Sequence, residues 1–264
     1  MKVSASITVT VLGSGTSAGV PMIGCHCPVC QSSDTRDRRT RCSIVISYAN
    51  RHILIDTAPE LRLQAIANSI DQVDAIVFTH AHADHIFGLD DVRRYNALLQ
   101  APLPVYAAPE TLEVLLRIFP YAFARQNVDR IFKPELIPTP IQGALDIFGT
   151  TWQPIPLLHG RNRVLGFRIG DFAYCTDCSA IPSESMQLLQ GLDVLIIDGL
   201  RPRVHPTHFS FDQALEVIEA VKPRRAFFTH LSHDAFHADI EAGLPSHVRV
   251  CFDGMKLEIP AIPG

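Results

Sequence analysis

The sequence predicts an α/β (α+β) fold: two β-sheets packed together with helices outside, in one domain spanning 1–264. Three observations predict it. Strand-like apolar runs outnumber helical ones in the first half, a strand-then-helix pattern recurs in the second, and no low-complexity tract or linker divides the chain. At 264 residues, 47% apolar and 19% charged, the chain has ordinary globular composition and enough length for a large core.

The elements follow in order. Ile7 to Leu12 alternates and reads as a strand. The glycines of Gly13-Ser14-Gly15-Thr16-Ser17-Ala18-Gly19-Val20-Pro21 match a dinucleotide fingerprint, but Pro21 and a cysteine cluster stand where a helix should begin. A tight, close-packed turn is expected there. Residues 24–41 form a loop rich in cysteine and charge. Ser43 to Tyr48 and His52 to Asp56 read as a strand pair around Asn50-Arg51, Pro59 to Ala67 as a helix, and Val73 to Phe78 as a buried strand. Asp84 to Leu99 has helical periodicity, Pro104 to Ala107 is a short strand and Glu110 to Phe119 a helix. Pro120 to Gly149 reads as a loop insertion with short strands. Trp152 to Leu157 is a strand, and Leu165 to Ile169 pairs with Phe172 to Cys175 around Gly170-Asp171. A helix over Ser183 to Gln190, a strand over Val194 to Asp198, a helix capped by Ser210 and a strand over Arg225 to Thr229 follow. Asp234 to Ala242 is helical, and Val248 to Phe252 and Lys256 to Ile259 close the chain as strands.

Charge and cysteine usage narrow the function. A net charge of −4 speaks against a protein living on nucleic-acid backbone and favours a small substrate. No apolar run reaches the ~18 residues of a spanning helix. Met1-Lys2-Val3-Ser4 lacks the plan of a signal peptide, so a cytoplasmic protein without membrane attachment is expected. The seven cysteines are odd in number and three cluster, which favours metal binding over disulfides.

Chemistry concentrates in Thr79-His80-Ala81-His82-Ala83-Asp84-His85. Imidazole and carboxylate are donors that zinc, iron and manganese accept, and four so close together suit two ions better than one. His80 and His82 are two apart and point the same way in extended chain. His159, Asp177 and His230 each lie just past an apolar strand, as His80 does, where α/β architectures place chemistry. Alone, each would read as a surface histidine or a turn residue. Cys175-x-x-Cys178 has only two thiols with Asp177 between them and reads as packing rather than a redox motif.

His80-x-His82-x-Asp84-His85 with His159, Asp177 and His230 resembles the metallo-β-lactamase superfamily. The resemblance implies a four-layer αββα sandwich and a site for two divalent ions, zinc or manganese with iron also admitted. It implies His80, His82 and His159 on one ion, Asp84, His85 and His230 on the other, and Asp177 bridging.

Cys25, Cys27 and Cys30 stand in C-x-C-x-x-C spacing, and a closed structural zinc needs a fourth donor. His233 is the natural candidate and His26 the competitor. This cluster, the glycine-rich opening and the closing Phe252-Asp253-Gly254-Met255 are similar to the phosphoribosyl 1,2-cyclic phosphate phosphodiesterase family of the carbon–phosphorus lyase pathway. That resemblance implies a further catalytic histidine at His208, with His205 beside it, and admits a homodimer. A phosphodiester leaving group needs a proton donor, which is the role expected of His208. Asp84 is expected both to ligate and to orient the nucleophile. The expected function is metal-dependent hydrolysis of a small phosphodiester, a cyclic ribose phosphate or nucleotide-like, by metal-hydroxide attack. Two alternatives stand beside it. One is a non-catalytic or biosynthetic carrier-type protein like the pyrroloquinoline quinone biosynthesis B protein, against which the intact histidine motif argues. The other is an RNA-processing endonuclease, against which the acidic balance argues. Arg36-Asp37-Arg38-Arg39-Thr40-Arg41 reads as a solvated face knitting the cysteine loop by salt bridges, with phosphate binding as its rival; Arg93 and Arg94 are undecided between the two.

Overall fold

The computed structural model describes residues 6–124 and 132–260. Seven strands form the first sheet: β1 (Ile7–Gly13), β2 (Ser43–Tyr48), β3 (Arg51–Ile55), β4 (Ala75–Val77), β5 (Leu103–Ala107), β6 (Leu136–Pro140) and the last strand, β14 (Lys256–Ile259). Their order is β14-β1-β2-β3-β4-β5-β6. The second sheet holds β7 (Leu145–Ile147), β8 (Thr150–His159), β9 (Asn162–Ile169), β10 (Phe172–Cys175), β11 (Val194–Asp198), β12 (Arg225–Thr229) and β13 (Val248–Val250), in the order β13-β12-β11-β10-β9-β8-β7. The two sheets share one plan. β14 to β3 pair antiparallel and β3 to β6 parallel; β7 to β10 pair antiparallel and β10 to β13 parallel.

Alternating apolar residues of the two inner faces meet in a dry layer that includes Val9, Ile44 and Ile53 from one sheet and Trp152, Phe167, Tyr174 and Ile196 from the other. Helices cover the outer faces. α1 (Leu61–Asn68), α2 (Ala83–Ile86), α3 (Arg93–Leu99) and α4 (Pro109–Ile118) belong to the first half; Leu61, Ile86, Tyr95 and Leu115 from them pack with Val45, Leu54 and Val105. α5 (Ser183–Gln187), α6 (Phe211–Val221) and α7 (His237–Ala242) belong to the second; Met186, Ile218 and Ile240 from them pack with Leu195, Ile197 and Phe228. The result is an αββα sandwich, as the resemblance implies.

Local chemistry explains the elements. Ala49 and Asn50 both adopt positive φ, 47° and 59°, the turn that matches the twist of the β2–β3 hairpin. Ser210 caps α6 by accepting from the Gln213 amide, and the Gln213 side chain accepts from the Ser210 amide, closing a capping box. The expected continuous helix over Asp84 to Leu99 is interrupted: α2 ends at Ile86, and a 3₁₀ turn over Leu89–Val92 precedes α3. The His85 carbonyl accepts from the Thr57 amide and the Gly88 amide donates to the Thr57 carbonyl, so neither group continues the helix. A Cβ on Gly88 would lie 2.0 Å from the Ala58 carbonyl oxygen, which fixes glycine there. β8 and β9 are longer than expected and meet in a tight hairpin at Gly160-Arg161, so His159 ends β8 rather than following it. The irregular stretch after Pro120 supplies edge strands to both sheets, β6 to one and β7 to the other; residues 125–131 of it lie outside the described residues.

Candidate dinuclear metal centre

The ends of five strands converge. His80 follows β4, His159 ends β8, Asp177 follows β10, Asp198 ends β11 and His230 follows β12. His80, His82 and His159 bring ligand nitrogens within 4.8 Å of one another, and Asp84, His85, Asp177 and His230 do the same with theirs. Asp177 lies between the groups: its carboxylate is 3.2 Å from His85 Nε2, 3.1 Å from His230 Nε2 and 4.0 Å from His80 Nε2. Asp84 approaches His85 Nε2 at 3.4 Å and His230 Nε2 at 3.7 Å. All seven residues singled out for this site are thus brought together.

Hydrogen bonds behind the rings choose which nitrogen faces inward. His85 Nδ1 donates to Asp56 at 2.7 Å, and Asp56 also accepts from the Thr79 amide and hydroxyl, both at 2.8 Å. His80 Nδ1 meets the Thr79 hydroxyl at 3.0 Å. His159 Nδ1 donates to the Thr207 carbonyl at 2.7 Å. Asp56, Asp177 and His230 hold left-handed backbone, with φ of 61°, 53° and 61°. That conformation is costly for residues with a Cβ and collects where function fixes geometry.

The donor set fits divalent cations. Four buried nitrogens, His80 Nε2, His85 Nε2 and both Nδ1 and Nε2 of His230, have no partner in hydrogen-bond geometry among the described residues, although buried nitrogens are normally satisfied. Burial acts to raise the Asp177 carboxyl, but His230 and His85 overcome it and hold it well below the usual carboxylate range. Burial likewise acts to lower His85, and Asp177 with Asp56 holds it well above its ordinary value. The buried carboxylates demand positive charge at this point, which a metal ion meets while the imidazoles stay neutral. Burial pushes His80 well down, so it is a neutral donor.

His208 stands outside those groups of three and four, but its ring also comes within ligand distance of His159 and Asp177 and of Asp198 and His230. Its ring stacks on His230 at 4.5 Å between centroids and 15° between planes, and lies edge-on to His159 at 4.6 Å. Its Nδ1 donates to Asp198 at 2.7 Å, and Asp198 also accepts from the Cys178 amide at 2.9 Å. His205 instead turns its Nδ1 to the Thr207 amide and hydroxyl.

A second cluster stands apart. Sγ of Cys25, Cys27 and Cys30 lie 3.4, 3.3 and 3.4 Å from His233 Nδ1. A tetrahedron with Zn–S of ~2.3 Å and Zn–N of ~2.05 Å sets donors roughly 3.5 Å apart, so the arrangement fits one zinc. Cys27 is held down to about 6 by the Cys30 amide and His233, towards the thiolate that binds metal. His26 is exposed and outside the cluster. The loop is seated by Arg39, which is 4% exposed and donates to the Ser14 hydroxyl and the Cys251 carbonyl. Arg36 pairs with Asp34, and Arg41 with Glu60. The salt-bridged reading of this basic run therefore describes Arg36 and Arg41, whereas Arg39 is buried rather than solvated. Arg93 pairs with Asp90. The glycine-rich turn abuts the histidine loop: the Thr16 amide donates to the Leu231 carbonyl and the Leu231 amide to Ser14.

Two aspartates that hydrogen-bond the site's histidines escaped the sequence reading, Asp56 and Asp198. Both stand at the end of an apolar strand, the signal that picked out His159 and His230.

Fold and site define a protein of the metallo-β-lactamase fold with a candidate dinuclear metal centre. The family model described as beta-lactamase superfamily domain matches residues 51–231, and the chain belongs to that family. Within it the chain resembles the PhnP family. It is 43% identical to a diphosphatase from that family, with a TM-score of 0.90 over 96% of this chain and 97% of that one. An octanoyltransferase of Porphyromonas gingivalis (strain ATCC BAA-308 / W83) is 37% identical over 249 residues, 93% of this chain, and the chain spans 50% of that protein's length. Zn(2+)-bound PqqB from Methylobacterium extorquens shares the fold at 19% identity and a TM-score of 0.76, over 96% of this chain and 100% of that one. Among the described residues no helix is long and apolar enough to cross a membrane.

Proposed function

We propose that the chain is a dinuclear metal-dependent phosphodiesterase acting on a small ester of the cyclic ribose phosphate or nucleotide class. The observation that carries this reading is the His208–Asp198 pair set against the seven-residue cluster. His80, His82 and His159 would hold one divalent ion, and Asp84, His85 and His230 the other, with Asp177 shared. Cys25, Cys27, Cys30 and His233 would hold a structural zinc. When bound, the paired ions supply an activated water and offset charge on the phosphoryl oxygens.

The chain's own residues do the rest. Asp84, only 11% exposed at its side chain, orients the attacking water. Asp198 fixes His208 by its Nδ1, which aims Nε2 at the ester. As the P–O bond to the leaving group breaks, His208 Nε2 gives that oxygen its proton; a cyclic ester opens to one product carrying both the phosphomonoester and the freed hydroxyl, and an acyclic ester separates into a phosphomonoester and an alcohol. The net charge of −4 supports a small substrate over RNA. The decisive test is a hydrolysis panel on metal-loaded protein: bis(p-nitrophenyl) phosphate, 1,2- and 2′,3′-cyclic phosphates, an octanoyl thioester and a lactone. Phosphodiesters should turn over fastest; preference for the thioester or lactone overturns the reading.

A further inference from the structure

A ligand histidine needs something behind its ring to aim it. For His80, His85 and His159 this is the Thr79 hydroxyl, the Asp56 carboxylate and the Thr207 carbonyl, each facing Nδ1. His230 has no counterpart: both its ring nitrogens are buried without a partner in hydrogen-bond geometry among the described residues. Flat stacking on His208 at 4.5 Å and 15°, and on His85 at 6.2 Å and 12°, sets the plane of the ring but not its rotation within that plane. The backbone that carries His230, held at a φ of 61°, must set the rest.

That backbone is pinned at the next residue. The Leu231 amide donates to the Ser14 carbonyl and the Leu231 carbonyl accepts from the Thr16 amide, both at 3.0 Å, so Leu231 bridges to Gly15 of the glycine-rich turn. Asp253 fixes the turn in its place. One of its oxygens accepts from the Ser14 amide and hydroxyl at 2.9 and 2.8 Å, the other from the Thr40 amide and hydroxyl at 2.7 and 2.6 Å. Four bonds to one charged acceptor make a strong rivet. Arg39 donates to the same Ser14 hydroxyl at 2.9 Å. Gly15 is wedged tightly: a Cβ there would lie 2.8 Å from the Arg39 Cβ and 3.0 Å from the Arg39 and Thr40 carbonyl oxygens. The turn that matches a nucleotide fingerprint is thus packed between Arg39-Thr40 and the loop of His230.

We propose that Asp253 is a positioning residue for His230: by riveting the Ser14 turn to Thr40 it holds Leu231, and through Leu231 the aim of the His230 ring, in place of the hydrogen bond that stands behind His80, His85 and His159. The inference rests on the dinuclear reading above. Asp253 acts only through Ser14 and Leu231. Its loss should therefore fall on the ion of Asp84, His85 and His230 and spare that of His80, His82 and His159.

The test is zinc binding by Asp253→Asn, which removes the charge and one of the two acceptor oxygens, measured by competition with a chelator well below Tm. The spectrum of ¹⁵N-labelled imidazoles, with the His230 signal assigned by its loss in His230→Gln, is recorded alongside. One ion of the histidine–aspartate cluster should weaken by about tenfold or more, the range of an outer partner, while the other and the cysteine-bound zinc hold. The His230 signal should lose its metal-bound shift or broaden, and those of His80 and His159 should stay. Should Asp253→Asn not fold, Ser14→Ala, which keeps the backbone bonds and drops the hydroxyl link, should show the same pattern at about threefold. A lower Tm with both cluster affinities and the His230 signal unchanged would make Asp253 merely structural and overturn the proposal, as would equal weakening of both ions. A wild-type cluster that binds a single ion would overturn the dinuclear reading itself, and the proposal with it.

Discussion

The two ligand clusters are assembled on opposite plans. The Cys25-Cys27-Cys30-His233 cluster takes three donors from one short loop and one from far along the chain, and all four residues are half-buried. The histidine–aspartate cluster takes its donors from the ends of four strands and the α2 turn, and all but His82 are buried or nearly so. The first has the closed donor count of a structural zinc. The second has more donors than one ion needs, four nitrogens unpartnered among the described residues and a hydrogen-bonding histidine beside it. The cysteine loop asks the fold to bring it only one remote donor, His233. Donors from four strands exist together only when both sheets are in place.

The sharpest way to break this contrast is Asp177→Ala. It removes the carboxylate nearest both groups, so activity should drop to background and metal analysis should show the loss of active-site metal with the cysteine-bound zinc retained. Retention of all metal would show that Asp177 is not shared. His208→Ala comes next, with kcat lower by roughly 10²–10⁴ and metal content unchanged, as for loss of a general acid. Metal loss in that variant, or full turnover of an ester with a poor leaving group, would remove His208 from catalysis. Asp56→Asn acts one step further out, through His85. Outer partners of metal-binding histidines are worth about 10–100-fold in metal affinity, and titration with a competing chelator measures it. An unchanged affinity would make Asp56 a purely structural residue.

Much of this was legible in the sequence. His80, His82, Asp84 and His85 announce themselves by density, and the apolar strands before His159, Asp177 and His230 place those three beside them. The αββα layering followed from the same motif by resemblance. What was not legible is what tertiary contact decides. The helix expected after Asp84 breaks because Thr57, distant in sequence, takes the bonds that would continue it. Arg39 sits in a basic run whose charge assigns it to the surface, yet three partners from remote segments bury it. Asp56 and Asp198 carried the strand-end signal, but an aspartate after a strand is common, and only the ring nitrogen facing each one gives it a role.

Cys27→Ser probes the other side of the contrast through stability. It should release the cysteine-bound zinc and lower Tm, at about 2–4 °C for each kcal/mol lost, while the histidine–aspartate cluster keeps its metal. Unaltered zinc stoichiometry would count against the site.

The smallest expected effect asks whether the two clusters are coupled. Arg203, in the loop leading to His208, pairs with Asp234, next to His233, and is 75% exposed. Exposed ion pairs contribute about 1 kcal/mol or less. The same two segments are also joined by backbone, since the Ser232 amide donates to the Leu200 carbonyl at 2.9 Å. Arg203→Ala should therefore leave zinc content intact, shift Tm by no more than a few degrees and change kcat by less than about threefold. A large fall in kcat with zinc retained would mean that the arginine itself reads the substrate. A fall in both would mean that this one ion pair, rather than the backbone beside it, holds the His208 loop to the zinc loop.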